Sequence, residues 1–205
     1  MNLIPRFYDP EEGSVFLDDI DVRDLSFDTL RTRVAMVLQE TILFSGTIRD
    51  NIAFGARNAS QPELERAAEI ACAMEFIREK SDGWESSVGE RGAGLSGGQR
   101  QRVAIARAIA AAPDVIILDD VTSSLDSTTE RRIVEALYRE FRDRTAIIIS
   151  QKINTIRHAD RIVVMEDGRI IATGTHEELL ESDPTYRTIF ETQSGSSSAY
   201  GRIPA

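Results

Sequence analysis

The sequence has one cysteine, no excess of basic over acidic residues and no long apolar run, and each of these shortages excludes a class of protein. Cys72 is the only cysteine among 205 residues, so no disulfide can form within the chain. The formal net charge is −10, and an acidic chain lacks the concentrated basic surface that binding to nucleic-acid phosphates requires. No apolar stretch approaches the roughly 20 residues of a membrane-spanning helix. We therefore expect no nucleic-acid partner and no membrane-spanning segment in this chain.

The remaining composition is that of a globular protein. Apolar residues make up 41% of the chain and charged residues 28%, close to the usual shares, and the length suffices for one domain with a sizeable core. Cys72 lies in an apolar helical run, which predicts a buried, inert thiol. Residues 193–205 are rich in serine and glycine and poor in apolar residues, which predicts a disordered tail.

Continuous apolar strands alternating with helices predict an α/β fold. Residues 114–119 and 145–150 are two such strands, joined by a helix at 128–141, and this order is typical of a parallel sheet covered on both faces. Glu166-Asp167-Gly168 predicts a hairpin turn. The remaining predicted elements are strands at 14–18, 34–38, 161–165 and 169–173, a helix capped by Ser26, helices at 61–80 and 99–111, and a final helix capped by Thr175 with Glu178 completing a capping box.

The strongest chemical signal is the string Leu95-Ser-Gly-Gly-Gln-Arg-Gln-Arg102, at the start of the predicted helix 99–111. A serine hydroxyl and two glycines at a helix N-terminus let a phosphate approach backbone N–H groups, and the helix dipole favours the anion. Two glycines at a helix start are by themselves usually only a cap. The complete eight-residue string favours phosphate binding instead.

This string resembles the signature sequence of ABC ATPases, and further motifs of that family follow. The resemblance assigns cofactor contacts to the signature turn, which we define as Leu95, Ser96, Gly97, Gly98 and Gln99. Val115-Ile-Ile-Leu-Asp119-Asp120 is similar to the Walker B segment. The resemblance implies that Asp119 holds Mg²⁺, and that position 120 carries the general base for ATP hydrolysis.

Three more segments resemble parts of the family pattern. Gln39 matches the Q-loop glutamine, which the resemblance places near the metal and the attacking water. Asp126 matches the D-loop, which in the family crosses the dimer seam and contacts the nucleotide site. Residues 88–92 resemble the X-loop of exporters, and Phe44 to Ile52 is also similar to exporter-type domains. We therefore expect ATP and Mg²⁺ as cofactors.

The resemblance implies a P-loop NTPase-like ABC ATPase fold over residues 1–192, with a mostly parallel core sheet and a helical subdomain at about 56–111. The N-terminal antiparallel strands and the Walker A loop of that fold have no counterpart in the sequence. This pattern predicts a truncated domain, and we expect the isolated chain to be inactive. A genuine small protein that starts at Met1 is the alternative.

Two catalytic positions depart from the family pattern. Asp120 stands where the catalytic glutamate is usual, and Gln151 stands where the switch histidine is usual, so we expect slow hydrolysis at this chain's own site. An intact signature beside altered catalytic positions resembles the degenerate half of a heterodimeric exporter. The expected partners are a second nucleotide-binding domain, in a hetero- or homodimer, and the transmembrane domains of an exporter.

Two other functions remain open from the sequence. One is a non-catalytic regulatory or vestigial interaction module, which the intact signature disfavours. The other is a soluble ABC protein of translation or DNA repair, which the exporter-like runs disfavour. The exporter interpretation predicts a location at the cytoplasmic face of the cell membrane, reached through a transmembrane domain that is not in this chain.

Overall fold

The computed structural model describes residues 1–56 and 58–195. Two short 3₁₀ helices, Gly83–Glu85 and Glu90–Gly92, precede the longest helices of the chain. The strands and α-helices follow in the order β1 (Phe16–Leu17), β2 (Ile20–Asp21), α1 (Phe27–Arg33), β3 (Val34–Val37), β4 (Gly46–Thr47), α2 (Ile48–Ala53), α3 (Gln61–Ile70), α4 (Met74–Glu79), β5 (Ser87–Val88), α5 (Gly97–Ala110), β6 (Val115–Asp119), α6 (Ser127–Glu140), β7 (Thr145–Ile149), α7 (Ile153–Ile156), β8 (Ile162–Glu166), β9 (Arg169–Gly174), α8 (His176–Ser182) and α9 (Pro184–Gln193).

A three-stranded parallel sheet in the order β3-β6-β7 forms the centre of the first part of the chain. Val37 pairs with Leu118, and Asp119 pairs with Ile149, so the three strands end at the same edge. Loops that leave this carboxyl edge are where open parallel sheets hold their ligands. The edge therefore positions the residues that follow β3 and β6.

Both faces of the central strand β6 are buried. Ile116 and Leu118 pack into a large apolar cluster that includes the small-residue helix α5. Val115 and Ile117 point to the opposite face and pack with Leu30 of α1. The alternation of neighbouring side chains between two apolar layers explains why β6 is continuously hydrophobic. The predicted α/β class with a doubly covered parallel sheet is confirmed.

The chain divides into two compact units, Met1–Ile149 and a second one that begins at Ser150. The second unit consists of the antiparallel hairpin β8–β9 and helices α7 to α9, around the buried residues Ile153, Ile162, Leu179 and Tyr186. The predicted single domain 1–192 thus covers two compact units, and its bounds stay a prediction. In the described part, no helix has both the length and the apolar character needed to cross a bilayer.

The C-terminal boundary needs a correction at one residue. Gln193, predicted as the first residue of a disordered tail, is the last residue of α9, and its side-chain oxygen accepts a hydrogen bond from the Ile153 amide at 2.9 Å. Residues 196–205 of that predicted tail lie outside the described residues.

The helix predicted over 61–80 is wrong as a single element, because it breaks at Cys72. This residue has a left-handed backbone, with φ of 52°, and the amide of Ala73 bonds back to the carbonyl of Ala68 at 2.7 Å. Such a closure normally uses glycine at the left-handed position, so the sequence gives no signal for it. Cys72 is buried, as predicted, and burial raises the pKa of its thiol.

The predicted caps at Ser26 and Thr175 are confirmed.

Candidate nucleotide-binding site

The signature turn begins with a capping box at the N-terminus of α5. The Ser96 hydroxyl accepts a hydrogen bond from the Gln99 amide at 3.3 Å, and the Gln99 side-chain oxygen accepts one from the Ser96 amide at 3.0 Å. Reciprocal bonds of this kind fix the entry of the chain into the helix. The 14-residue helix behind the turn is largely buried, so the turn is held on a rigid support.

The two glycines of the turn leave their amides available. Among the hydrogen bonds of the described residues, neither the Gly97 nor the Gly98 amide has an acceptor. Ser96 and Gly97 are exposed to solvent, whereas Gly98 is half-buried. Unbonded amides at the first positions of a helix attract anions, because their partial charges add to the helix dipole. The turn therefore has the geometry of an anion-binding site.

Gly98 also allows the close approach of the loop that follows β6. A Cβ placed on Gly98 would lie 3.1 Å from the Ser124 carbonyl oxygen and 3.4 Å from Leu125, whereas one on Gly97 would meet nothing closer than 3.9 Å. The signature turn and the predicted D-loop of the same chain are thus in direct contact. Only a glycine at position 98 fits this contact without displacing a neighbour.

Leu95 and Gln99 do not present their side chains to a ligand in this chain. Leu95 is buried in the core, with 6% of its surface exposed, so its predicted contact with a cofactor could come only from its backbone. The amide oxygen of Gln99 is engaged in the capping box. The contacts of Leu95 and Gln99 with a cofactor stay predictions. In this structure Leu95 anchors the turn in the core, and Gln99 holds the turn through the capping box.

The carboxyl edge of the sheet brings together three of the predicted site residues. Asp119 is the last residue of β6, and Asp120 follows it. Gln39 comes two residues after β3, and its side-chain nitrogen donates a hydrogen bond to Asp120 Oδ2 at 3.1 Å. The link joins residues 81 positions apart in sequence. The structure therefore assembles Gln39, Asp119 and Asp120 as one cluster.

Asp120 occupies a special backbone conformation. Its φ is 47°, in the left-handed region, where Asp is more readily accepted than most residues. Its amide continues the sheet by donating to the Ile149 carbonyl at 2.9 Å, while its own carbonyl accepts from the Ser123 hydroxyl at 3.1 Å. The backbone bonds on both sides hold the turn in place. The Asp120 side chain therefore starts from a backbone position that is fixed at the sheet edge.

Two predicted site residues have other observed surroundings. Asp126 caps α6, accepting bonds from the amides of Thr128 and Thr129 at 3.1 and 3.0 Å, and the bonds from Thr129 lower the pKa of its carboxyl. Its predicted role across a dimer seam stays a prediction. Gln151 is exposed in the second unit, where its carbonyl accepts a hydrogen bond from Gln193 at 2.6 Å.

A buried polar network next to the predicted Q-loop was not found from the sequence. Arg107 of α5 donates hydrogen bonds to the Ile42 carbonyl at 3.0 Å, and to the carbonyl and side-chain oxygens of Asn51 at 2.9 and 2.7 Å. Burial lowers the pKa of Arg107 to about 10. Asn51 is only 1% exposed and also bonds both backbone groups of Phe44. The network fixes the segment after Gln39 to the signature helix.

The same segment borders an apolar groove of about 280 Å³. Three large apolar side chains beside it are exposed by 43 to 63%, namely Leu38, Ile42 and Phe44. Arg107 reaches this groove as well, and lies 5.0 Å from the centre of the Phe44 ring. Within the described residues no ion pair involves Arg107, and Glu40 also lines the groove, so the groove combines apolar surface with one charged group of each sign.

Comparison with known proteins identifies the family. The pattern described as ABC transporter matches residues 1–123. The chain belongs to the ABC transporter family. It is 46% identical over 192 residues to the ATP-dependent lipid A-core flippase of Desulfotalea psychrophila, a match that covers 94% of this chain and 34% of the flippase. It is 48% identical over 180 residues to the heterocyst differentiation ATP-binding protein HepA of Nostoc sp., covering 88% of this chain and 30% of HepA.

A solved structure is similar to this chain in both fold and sequence. The chain is similar, with a TM-score of 0.90 and 38% identity, to the structure of a bacterial Atm1-family ABC exporter with ATP bound, which covers 94% of this chain and 34% of that one. This chain therefore spans about a third of the length of the relatives it matches. The predicted ABC ATPase fold is confirmed, and a domain of this family binds nucleotide.

The residues present fit ATP and Mg²⁺. A nucleotide phosphate would accept hydrogen bonds from the unbonded amides of Gly97 and Gly98, where no side chain blocks its approach. Asp119 is half-buried, and in the described part of the chain its side chain makes no hydrogen bond or ion pair, so its carboxylate is available to a cation. The described residues hold no cluster of three acidic, His or Cys side chains, and Mg²⁺ needs none when waters and phosphates supply its other ligands.

Proposed function

We propose that this chain is the ATP-binding part of an ABC exporter, in which ATP binding and hydrolysis drive transport across a membrane. The observation that carries the proposal is the signature turn, with two unbonded glycine amides at the exposed end of a rigid helix. The relatives described as a flippase and as an exporter support the exporter class. The transported substrate stays outside the proposal, because this chain holds no transmembrane segment in its described part.

The signature turn serves a nucleotide held by a second nucleotide-binding domain, in a hetero- or homodimer. Ser96, Gly97 and Gly98 face solvent or lie near the surface, so they are free to contact a phosphate that a partner presents. Asp126 lies in the loop that contacts Gly98, through Ser124 and Leu125. The two loops therefore form one surface that a partner domain could meet.

The chain's own catalytic centre is the degenerate one. Asp119 would hold Mg²⁺, and Gln39 orients the neighbouring Asp120 through their hydrogen bond. Asp120 is one methylene shorter than glutamate, which withdraws its carboxylate from an attacking water and slows general-base catalysis. Gln151 can hydrogen-bond a phosphate but cannot carry the positive charge of a histidine. We expect nucleotide bound at this centre to turn over slowly.

The transmembrane partner docks beside the Q-loop segment. The apolar groove near Leu38, Ile42 and Phe44 supports this assignment, because three large apolar side chains are exposed around one groove instead of singly. Arg107 links the groove to the signature helix through its hydrogen bond to the Ile42 carbonyl. If the chain docks in this way, we expect it to lie at the cytoplasmic face of a cell membrane.

Nucleotide turnover of the assembled transporter tests the proposal. We expect Asp120→Glu combined with Gln151→His to raise ATP turnover by up to about twofold, because the partner's site already works and one more becomes competent. Single-turnover phosphate release would then show two fast sites per dimer in the variant and one in the wild type. Two equally fast sites in the wild type would contradict the degenerate centre.

A further inference from the structure

We propose that Arg100 is a positioning residue for the signature turn, holding it in the conformation that leaves the glycine amides open to phosphate. The proposal rests on the proposed function of the turn and adds to it a residue that holds the turn from behind. It stands on three contacts of one side chain. These contacts reach the backbone of the turn, the first glycine of the turn and the loop at 90–92.

The first contact is a charge-assisted hydrogen bond. Arg100 Nη1 donates to the carbonyl oxygen of Leu95 at 2.8 Å, and Leu95 directly precedes Ser96. The Leu95 amide bonds in turn to the Gly92 carbonyl at 3.2 Å. Both backbone groups of Leu95 are therefore fixed, one by Arg100 and the other by the preceding loop. A hydrogen bond from a cationic donor is stronger than one from a neutral donor, so the bond from Arg100 holds Leu95 more strongly than the bond to the Gly92 carbonyl does.

The second contact places the guanidinium near Gly97, the first glycine of the turn. A Cβ built on Gly97 would lie 3.9 Å from Arg100 Nη2, which shows how closely the cation approaches the turn. The described residues contain no ion pair with Arg100, so its charge is not cancelled by a neighbouring carboxylate. The charge adds to the field of the helix N-terminus, and both favour an anion at the same place.

The third contact explains a glycine outside the turn. Gly92 has φ of +84°, and a Cβ on it would lie 2.3 Å from Arg100 Cδ and 2.9 Å from Arg100 Cγ. Leu43 lies 3.5 Å from the same point, so the segment after Gln39 meets the loop here as well. The stem of Arg100 is thus seated in a niche that exists only because residue 92 has no side chain.

The test compares Arg100→Met with Arg139→Met in the assembled transporter. Met keeps the stem and removes the hydrogen bond and the charge. Arg139 is the matched control, because it also donates to a backbone carbonyl nearby in sequence, that of Glu135 at 3.2 Å, but lies on the exposed face of α6. We expect Arg100→Met to lower kcat about tenfold with only a small fall in the melting temperature from the lost hydrogen bond, and Arg100→Lys to recover part of the lost kcat. Arg139→Met should leave kcat unchanged.

Two further readouts separate positioning from a general effect. In hydrogen–deuterium exchange without nucleotide, Arg100→Met should speed exchange across residues 95–99, and Arg139→Met should not. Gly92→Ala should reduce kcat strongly in the wild type but add less in an Arg100→Ala background, where the clash with the stem is gone. Unchanged exchange in Arg100→Met, or equal effects of Gly92→Ala in both backgrounds, would overturn the inference.

Ser96→Arg in the same preparation keeps the two proposals distinguishable. If Ser96→Arg abolishes turnover while Arg100→Met has wild-type kcat and exchange, the inference about Arg100 is wrong and the proposed function stands. If Ser96→Arg has no effect, the proposed function itself is wrong.

Discussion

Adding one methyl group to each glycine of the signature turn should separate stability from activity. Both glycines begin α5, and replacing glycine by alanine in a helix typically stabilises it by about 0.5–1 kcal/mol. At Gly97 the new methyl meets nothing closer than 3.9 Å, so we expect a gain, at most of this size because Gly97 is the first residue of the helix. At Gly98 it would lie 3.1 Å from the Ser124 carbonyl oxygen and 3.4 Å from Leu125, and such overpacking costs about 1–3 kcal/mol.

The comparison between the two variants carries the prediction. The helix-propensity gain is common to both and cancels, so Gly97→Ala should exceed Gly98→Ala in unfolding free energy by about 1–3 kcal/mol, the overpacking term alone. Urea unfolding of this chain measures the difference directly. Equal unfolding free energies would refute the close contact between the turn and Ser124.

Activity should follow a different order from stability. A methyl on either glycine covers the amides that a phosphate would approach, so both variants should lower ATP turnover in the assembled transporter. Gly97→Ala would then be more stable and less active than the wild type. A Gly97→Ala variant with full turnover would contradict the assignment of these amides to phosphate.

Three further predictions test the packing around the site. Arg107→Met should lower the unfolding free energy by about 2–3 kcal/mol, because it leaves the buried oxygens of Asn51 short of a cationic donor, and Arg107→Lys should restore only part of this in urea unfolding. Gln101 is buried and its side-chain nitrogen has no hydrogen-bond partner, so Gln101→Met should leave the free energy of unfolding unchanged or raise it. Thr41→Val removes the hydroxyl that donates to the Gln101 side-chain oxygen. It should lower the free energy of unfolding by about 1 kcal/mol in the wild type and by little in the Gln101→Met background. The backbone N–H groups that bond to Asp126 lower the pKa of its carboxyl group. The carboxylate therefore stabilises the fold fully above the unfolded-state pKa of about 3.9, and this stabilisation is lost as the pH falls through the folded-state pKa. A pH series of thermal melts should lose this acid dependence in Asp126→Asn.

Local patterns in the sequence were sufficient for the central strands and the helix caps. The continuous apolar character of residues 115–118 predicted a doubly covered strand, and the structure confirms it. The cap at Ser26 and the capping box at Thr175 depend on residues three positions apart, so a short window contains the whole signal. The signature string spans eight consecutive residues, so its signal is local as well.

The missed features depend on residues distant in sequence. Arg107 and Asn51 are 56 positions apart, and nothing in either local pattern indicates that they meet. The two-residue pairing of β4 with β5 was missed because such short strands have no periodicity. The break at Cys72 was missed for a different reason, since its left-handed conformation comes without the glycine that usually marks it.

The site itself was found in part. The sequence placed Gln39, Asp119 and Asp120 at strand ends, and the parallel register brings the strand ends together. It assigned Leu95 to cofactor contact, whereas the side chain is buried in the core. A motif match cannot distinguish residues that shape a turn from residues that face a ligand, because both kinds recur in the same string.

The most direct test of the account is ATP turnover by the assembled transporter with Ser96→Arg in this chain. Arginine at this position would fill the space that a partner's phosphate must enter, and Asp120→Glu serves as the comparison at the chain's own centre. We predict that Ser96→Arg abolishes turnover and that Asp120→Glu changes it only modestly. Full turnover with Ser96→Arg would contradict the claim that this signature turn completes a partner's ATP site.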